Sequence, residues 1–229
     1  MHVSARYQLY GRRKAKPLRP RQRQLIDDLL PSLRIDLPPE GEFRPQAIFS
    51  QTPDDVWLEI GFGGGEHLAE VAAAHSRIGF IGAEPFLNGV AKLLLAIADR
   101  HLSNIRILDA DARPLLDRLP PASIGRMYVL YPDPWPKRRH AKRRLFDEAT
   151  LLQMHRVMKP GAELRLATDS PDYAAWVLAG FLRHGGFEWL AETAHDWREP
   201  PLGWTATRYE SKARSQGRTP LYFAFRRSL

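Results

Sequence analysis

The sequence predicts an α/β fold: a seven-stranded, mostly parallel sheet with helices on both faces, preceded by a basic N-terminal arm. Three observations carry that expectation. From residue 54 onward, short apolar runs of strand length alternate with amphipathic helical stretches. A glycine-rich turn over residues 61–65 follows the first predicted strand. Acidic residues then fall at the ends of successive strands, which is where open parallel sheets bind ligands.

The arm, residues 1–24, holds Arg6, Arg12, Arg13, Lys14, Lys16, Arg19, Arg21 and Arg23. Few branched aliphatics accompany them, so the arm buries little by itself and is suited to an anionic partner. A short helix over 21–30 is expected to stop at Pro31. Pro38, Pro39, Gly41 and Pro45 make a connector, so composition separates residues 1–45 from a domain over 46–229.

Val56-Trp57-Leu58-Glu59-Ile60 is a short buried strand. A helix over 66–75 follows the glycine turn, with Leu68, Val71 and Ala72 on one face. Strand 78–83 leads to helix 86–99, and strand 105–108 to a short helix near 114–119. The fourth strand spans 126–131. A helix over 145–158 is closed by Lys159-Pro160-Gly161, a stop signal. Strand 162–167, helix 172–184 and strand 187–191 come next. The last strand, 220–226, alternates the bulky residues Leu221, Phe223 and Phe225. Repeated βα units of this length imply a mostly parallel sheet covered by helices on both faces.

The 229 residues suffice for one large domain with a full core, and 44% hydrophobic content makes the bulk globular. A net charge of +8 favours anionic partners, either nucleic acid or a membrane surface. The chain has no cysteine, which excludes disulfides and thiolate metal sites. The histidines form no metal-spaced pair, so no metal is expected. No apolar run reaches the ~18 residues of a membrane span, and the first residues are polar and basic rather than leader-like. The expected compartment is the cytoplasm.

The first loop, Gly61-Phe62-Gly63-Gly64-Gly65, lets the backbone turn and approach a ligand closely. A dinucleotide fingerprint needs a third glycine where this chain has Glu66, and a carboxylate there opposes a pyrophosphate. Glu59 and Glu66 suit a ligand with cationic groups, and S-adenosylmethionine carries a sulfonium and an ammonium. Glu59 through Gly65 matches the acid-x-G-x-G-x-G signature of class I methyltransferases, a Rossmann-like superfamily. Glu84, at the end of the second strand, is placed to accept ribose hydroxyls. Asp111-Ala112 follows the third strand and fits an adenine-edge contact. Each acid taken alone also reads as a helix cap or turn residue.

The most specific run is Tyr131-Pro132-Asp133-Pro134-Trp135-Pro136-Lys137-Arg138-Arg139-His140-Ala141-Lys142-Arg143-Arg144. It combines a carboxylate between φ-restricting prolines, an aromatic plate and a dense set of cations. Such a combination suits a site that holds a base and grips phosphates nearby.

This run resembles the signature of the bacterial tRNA (guanine-N7-)-methyltransferases, the TrmB family. Nearly the whole chain shares the likeness: Leu9-Tyr10-Gly11-Arg12-Arg13-Lys14, Gly82-Ala83-Glu84, Asp109-Ala110-Asp111-Ala112, Leu166-Ala167-Thr168-Asp169 and Thr207-Arg208-Tyr209-Glu210 are similar to family segments. Tyr209 stands where some members have Phe. The resemblance implies S-adenosylmethionine as donor, S-adenosylhomocysteine as product, and methylation at N7 of guanine 46 (tRNA convention) in the variable loop. It implies that Glu59, Gly61, Gly63, Gly65, Glu84, Asp111, Ala112 and Asp133 face the cofactor, Asp133 being also catalytic. It implies that Lys137, Asp169, Thr207, Arg208, Tyr209 and Glu210 contact the substrate. Arg139, His140, Ala141, Lys142, Arg143 and Arg144 would form an RNA-interaction segment. tRNA is the expected partner; no membrane or obligate partner protein is expected, and monomer and homodimer both stay open.

Guanine N7 carries an exposed lone pair, so methyl transfer to it needs orientation more than a strong base. Asp133 or Asp169 would stabilise the positive charge left on the purine. Trp135 either stacks on a splayed base or plugs the loop onto the core, and Trp197 and Trp204 either cover the site or anchor a late loop. The alternatives are a methyltransferase acting on another RNA and a non-catalytic tRNA-binding protein.

Overall fold

A computed structural model describes Tyr7, Tyr10 and residues 16–229. Of the basic arm, Arg6, Arg12, Arg13 and Lys14 lie outside the described residues. Seven strands, β1 (Asp55–Ile60), β2 (Ile78–Ala83), β3 (Ile105–Leu108), β4 (Ile124–Leu130), β5 (Met158–Thr168), β6 (Phe187–Trp189) and β7 (Leu221–Arg227), form one sheet. Their order is β3-β2-β1-β4-β5-β7-β6. The first five pair in parallel, and β7 runs antiparallel between β5 and β6.

The strands alternate sides as a pleated ribbon must. Phe80 of β2 packs beneath one helical layer, and its neighbour Ile81 packs beneath the other. The first layer holds α1 (Pro20–Asp28), α2 (Leu30–Leu33), α3 (Glu66–Ala74) and α4 (Leu87–Arg100). Its core includes Leu30, Leu68, Val90 and Leu94. The second layer holds α5 (Arg113–Arg118), α6 (Glu148–Val157) and α7 (Pro171–His184), with Leu115, Met154 and Phe181 in the core. Two further helices, α8 (His195–Arg198) and α9 (Arg208–Ser215), lie between β6 and β7 in sequence. No helix among the described residues is long and apolar enough to cross a membrane.

The structure alters several sequence expectations, each for a local reason. The first helix ends earlier, at Asp28, and Pro31 is the second residue of α2, where its fixed φ suits the first turn and its missing N–H costs nothing. Leu30 and Leu33 are buried in the first layer's core, and Ile35 and Phe43 in the second's. The helix expected to end at Met158 ends at Val157, since Met158 already pairs with Ile124. Lys159-Pro160-Gly161 then bulges inside β5: Ile124 to Arg126 on β4 spans two steps, against five from Met158 to Glu163. β4 begins two residues early and excludes Tyr131, and β6 stops at Trp189. The basic run contains a 3-10 helix, Arg138–Arg143, which the sequence pattern does not announce.

The strand order reverses between β1 and β4. Loops leaving these two neighbouring strands therefore diverge, and a crevice opens beyond their carboxyl ends. α4 is held close to the first loop by a glycine contact. A Cβ on Gly89 would stand 2.1 Å from the Gly63 carbonyl oxygen. Replacing a helix-interior glycine with alanine ordinarily gains up to ~1 kcal/mol. Gly89→Ala is expected to reverse that sign and destabilise by about 1–3 kcal/mol, because backbone has to move. Urea unfolding of the two proteins measures the difference.

Candidate active site

A cleft of about 1420 Å³ opens at the carboxyl ends of β1 to β4. Its floor is the glycine loop. Gly61, Gly63 and Gly65 have φ of 73°, 57° and 77°, which only glycine adopts at little cost. Gly63 is pressed from above: a Cβ there would lie 2.8 Å from a ring carbon of Tyr209. Gly65 starts α3 and packs on Leu93, away from the cleft lining.

Glu84 ends β2 and is buried. One carboxylate oxygen accepts from the Gly63 N–H at 2.8 Å and the other from the Phe86 N–H at 2.9 Å. Burial raises its pKa; the two backbone donors oppose that, and Asp133 and Glu59 add to it. With one donor on each oxygen, Glu84 keeps lone pairs for a ligand's hydroxyls. Glu59 has a different setting. It is buried at 3% exposure, and His67 Nδ1 donates to its Oε2 at 2.7 Å. His67 is itself wedged against Tyr128 and Trp204. Glu59 therefore braces the start of α3 from beneath the loop and does not line the cleft.

Asp111 lines the cleft and accepts from the Arg113 N–H at 2.9 Å, a turn-type bond at the start of α5. The Arg113 guanidinium also grips its carboxylate. Ala112 is buried in the second layer. On the opposite wall stands Asp133, exposed toward the cleft. Partial desolvation by the surrounding walls holds its pKa above the ordinary carboxylate value. Its loop is strained on both sides: Tyr131 and Trp135 have φ of 54° and 42°, unusual for residues with side chains.

Trp135 lines the cleft and is half-buried. The Arg143 guanidinium lies over its ring at 4.9 Å and over the Tyr10 ring at 4.5 Å. The next arginine, Arg144, turns inward and meets the carbonyls of Pro134 and Trp135. Lys137, Arg139 and Lys142 are exposed, while His140 and Ala141 are half-buried. Desolvation and then the neighbouring cations Arg143, Arg139 and Lys137 lower the His140 pKa, so its ring favours the neutral form at neutral pH.

The late segment forms α9, an element the sequence reading lacked. Thr207-x-x-Glu210 was the available signal, a capping pattern. Thr207 Oγ1 accepts from the Glu210 N–H at 3.1 Å. Glu210 is buried at 3% exposure and accepts from Trp204 Nε1 at 2.7 Å, Tyr222 Oη at 2.8 Å and Arg214. Arg208 and Tyr209 face the cleft. Burial, then Glu84 and Asp133, raise the Tyr209 pKa. Asp169 follows β5 and is paired with Arg218. Trp204 and Trp197 pack against core clusters as anchors.

The structure thus gathers Gly61, Gly63, Glu84, Asp111, Ala112, Asp133, Arg143, Arg208 and Tyr209 around one cleft. Glu59, Gly65, Thr207 and Glu210 support it from behind. Sequence reasoning missed His67, and it named Tyr131, Tyr10, Lys16 and Arg19 only within their motif or the arm; these residues also line or brace the cleft. The residues present fit S-adenosylmethionine: the glycine loop leaves room for a ligand, and carboxylates facing the cleft oppose a cationic donor.

The chain matches a family model described as "Putative methyltransferase" over residues 53–222. It is 50% identical over 216 residues to a tRNA (guanine-N(7)-)-methyltransferase of Agrobacterium fabrum, covering 94% of this chain and 93% of that protein. It is 48% identical to the protein of that name from Rhizobium meliloti, covering 96% and 94%. Among solved structures, the 16S rRNA methyltransferase KamB superposes with a TM-score of 0.58 at 21% identity, over 81% of this chain and 91% of that one. That last likeness shows the fold alone.

His67→Ala removes the donor that holds the buried Glu59 carboxylate. A loss of about 1–3 kcal/mol is expected in urea unfolding, the cost of leaving a buried acceptor without its hydrogen-bond partner.

Proposed function

Because the chain belongs to the tRNA (guanine-N(7)-)-methyltransferase family, we propose that its cleft presents the variable-loop guanine, position 46, to the methyl donor with Asp133 as the reacting-side carboxylate. The enzyme transfers methyl from S-adenosylmethionine to guanine N7 of tRNA. When bound, that donor supplies an electrophilic methyl group on a sulfonium. Everything else falls to the chain's own residues.

In this reading Glu84 accepts the ribose hydroxyls and Asp111-Ala112 meets the adenine edge. The glycine loop leaves the donor's amino-acid end room, with Glu59 behind it. Asp133 accepts hydrogen bonds from guanine N1–H and N2–H₂, which adenine lacks. Its charge stabilises the cation that N7 methylation creates. No proton has to be removed before attack, so positioning carries most of the catalysis, a contribution of ~7–11 kcal/mol in well-oriented cases. Asp169, held by Arg218, fits a supporting substrate contact. Tyr209 closes the floor between the two ligands, Thr207 and Glu210 fix its helix, and Arg208 and Lys137 contact the substrate. The exposed Arg139 and Lys142, with the arm, grip the RNA backbone. Residence in the cytoplasm, beside tRNA, is part of the same proposal.

One observation carries this reading. Asp133, Glu84 and Tyr209 converge on a single cleft from two separate strand ends and a late helix. The test is methyl transfer to unmodified tRNA transcripts, followed by chemical cleavage at 7-methylguanosine. A single cleavage in the variable loop, lost when that guanine is replaced, supports it. Label in another base or another RNA class would refute it.

Asp133→Asn keeps the shape and removes the charge. Turnover is expected to fall by about 10²–10³-fold, the usual effect of removing one electrostatic contact to developing charge, with S-adenosylmethionine affinity retained. In the parent enzyme, turnover should fall as pH drops and Asp133 gains a proton. That acid limb should lie above the ordinary carboxylate range and vanish in Asp133→Asn. Arg139→Ala should lower the magnitude of the log–log salt slope of tRNA binding by ~0.7–0.9, measured by titration at several salt concentrations.

A further inference from the structure

The basic run looks uniform in sequence, yet its last residue faces inward. Arg144 Nε donates to the Pro134 carbonyl at 3.0 Å, and Nη2 to the Trp135 carbonyl at 3.3 Å. The same guanidinium lies over the Trp176 ring at 4.9 Å and 5.7 Å from the Tyr173 ring. Those two rings stack on each other one turn apart along α7, with centroids 5.7 Å apart and planes 20° from parallel. Tyr173 is fully buried, and Trp176 packs against the core. The platform beneath Arg144 is therefore fixed.

The carbonyls it holds belong to the two residues that follow Asp133. They sit in the loop bounded by the left-handed backbone at Tyr131 and Trp135. Conformations of that kind persist only where the surroundings over-determine them. We propose that Arg144 is a positioning residue for the methyl-transfer reaction: it clamps the 133–135 loop against α7 and fixes the Asp133 carboxylate, and it makes no RNA contact. The inference rests on the reading of Asp133 given above. α7 begins two residues after Asp169, so the clamp ties the loop bearing one substrate-side acid to the helix next to the other.

The clamp needs a planar fork that bonds two carbonyls while stacking on rings. Lysine has the charge without the fork or the flat face. A phosphate contact, by contrast, accepts lysine. The experiment therefore compares Arg144→Lys, Arg144→Ala and Trp176→Leu in steady-state methyl transfer, tRNA binding across salt, and thermal unfolding.

Both Arg144 variants are expected to lose about 10²-fold in kcat, the scale of a misplaced reacting group, with tRNA affinity and salt slope unchanged. Trp176→Leu should lower kcat in the same direction. The pair Asp133→Asn/Arg144→Lys should lose no more than Asp133→Asn alone, because Arg144 acts through Asp133. Recovery of kcat by lysine overturns the proposal. So does an Arg144→Ala protein whose tRNA affinity drops and whose slope shrinks by ~0.7–0.9. If Arg144→Ala does not fold, Arg144→Lys and Trp176→Leu carry the same decision. Full turnover in Asp133→Asn would remove the Asp133 reading by itself. Loss there, with parental turnover in both Arg144 variants, would remove only the clamp.

Discussion

Gly63 is the point at which this molecule's separate parts meet, and it can serve there because it has no side chain. Its N–H holds Glu84, its carbonyl oxygen seats on Gly89 of α4, and its bare Cα leaves space for the Tyr209 ring. Glu84, the helix behind the loop and α9 thus share one residue. Any side chain there would collide with Tyr209 and force the loop from its left-handed conformation. The cleft's floor is set by close backbone approach, and the parallel strands then deliver the remaining loops to the same edge.

Charge is sorted around that floor. The chain carries a net +8, yet the strand ends supply carboxylates. The buried ones are not left bare: Glu59 has His67, Glu84 has two backbone donors, and Glu210 has Trp204, Tyr222 and Arg214. This is what burial of a carboxylate demands. Asp133 is the contrasting case. It faces the cleft, and desolvation raises its pKa. A carboxylate in that state gains most from a ligand that brings hydrogen-bond donors and positive charge.

The fourteen residues from Tyr131 to Arg144 show how far one motif can diverge in space. Lys137, Arg139 and Lys142 point to solvent. Arg143 lies between Tyr10 and Trp135, which joins the N-terminal segment to the loop. Arg144 faces the α7 rings. Adjacent arginines have equal charge, so composition cannot assign these separate fates. The backbone does assign them: within the 3-10 helix Arg138–Arg143 side chains turn by about a third of a circle per residue, and the chain leaves it extended at Arg144.

The sequence by itself determined the α/β class, the strand that precedes the glycine turn, and the acids at the ends of β1 to β4. These depend on local rules: apolar periodicity, glycine at left-handed turns, and strand ends that open onto one edge. The Thr207-x-x-Glu210 cap was equally local, and α9 was legible there although the pattern was read only as a substrate segment. Tertiary structure decided the rest. It placed Glu59 beneath the loop with His67, bulged Lys159-Pro160-Gly161 into β5, and buried Leu30 and Leu33 beside α4. It also turned Arg144 onto Trp176. Each of these outcomes is a contact between different elements, and its energy exists only once the fold has brought them together.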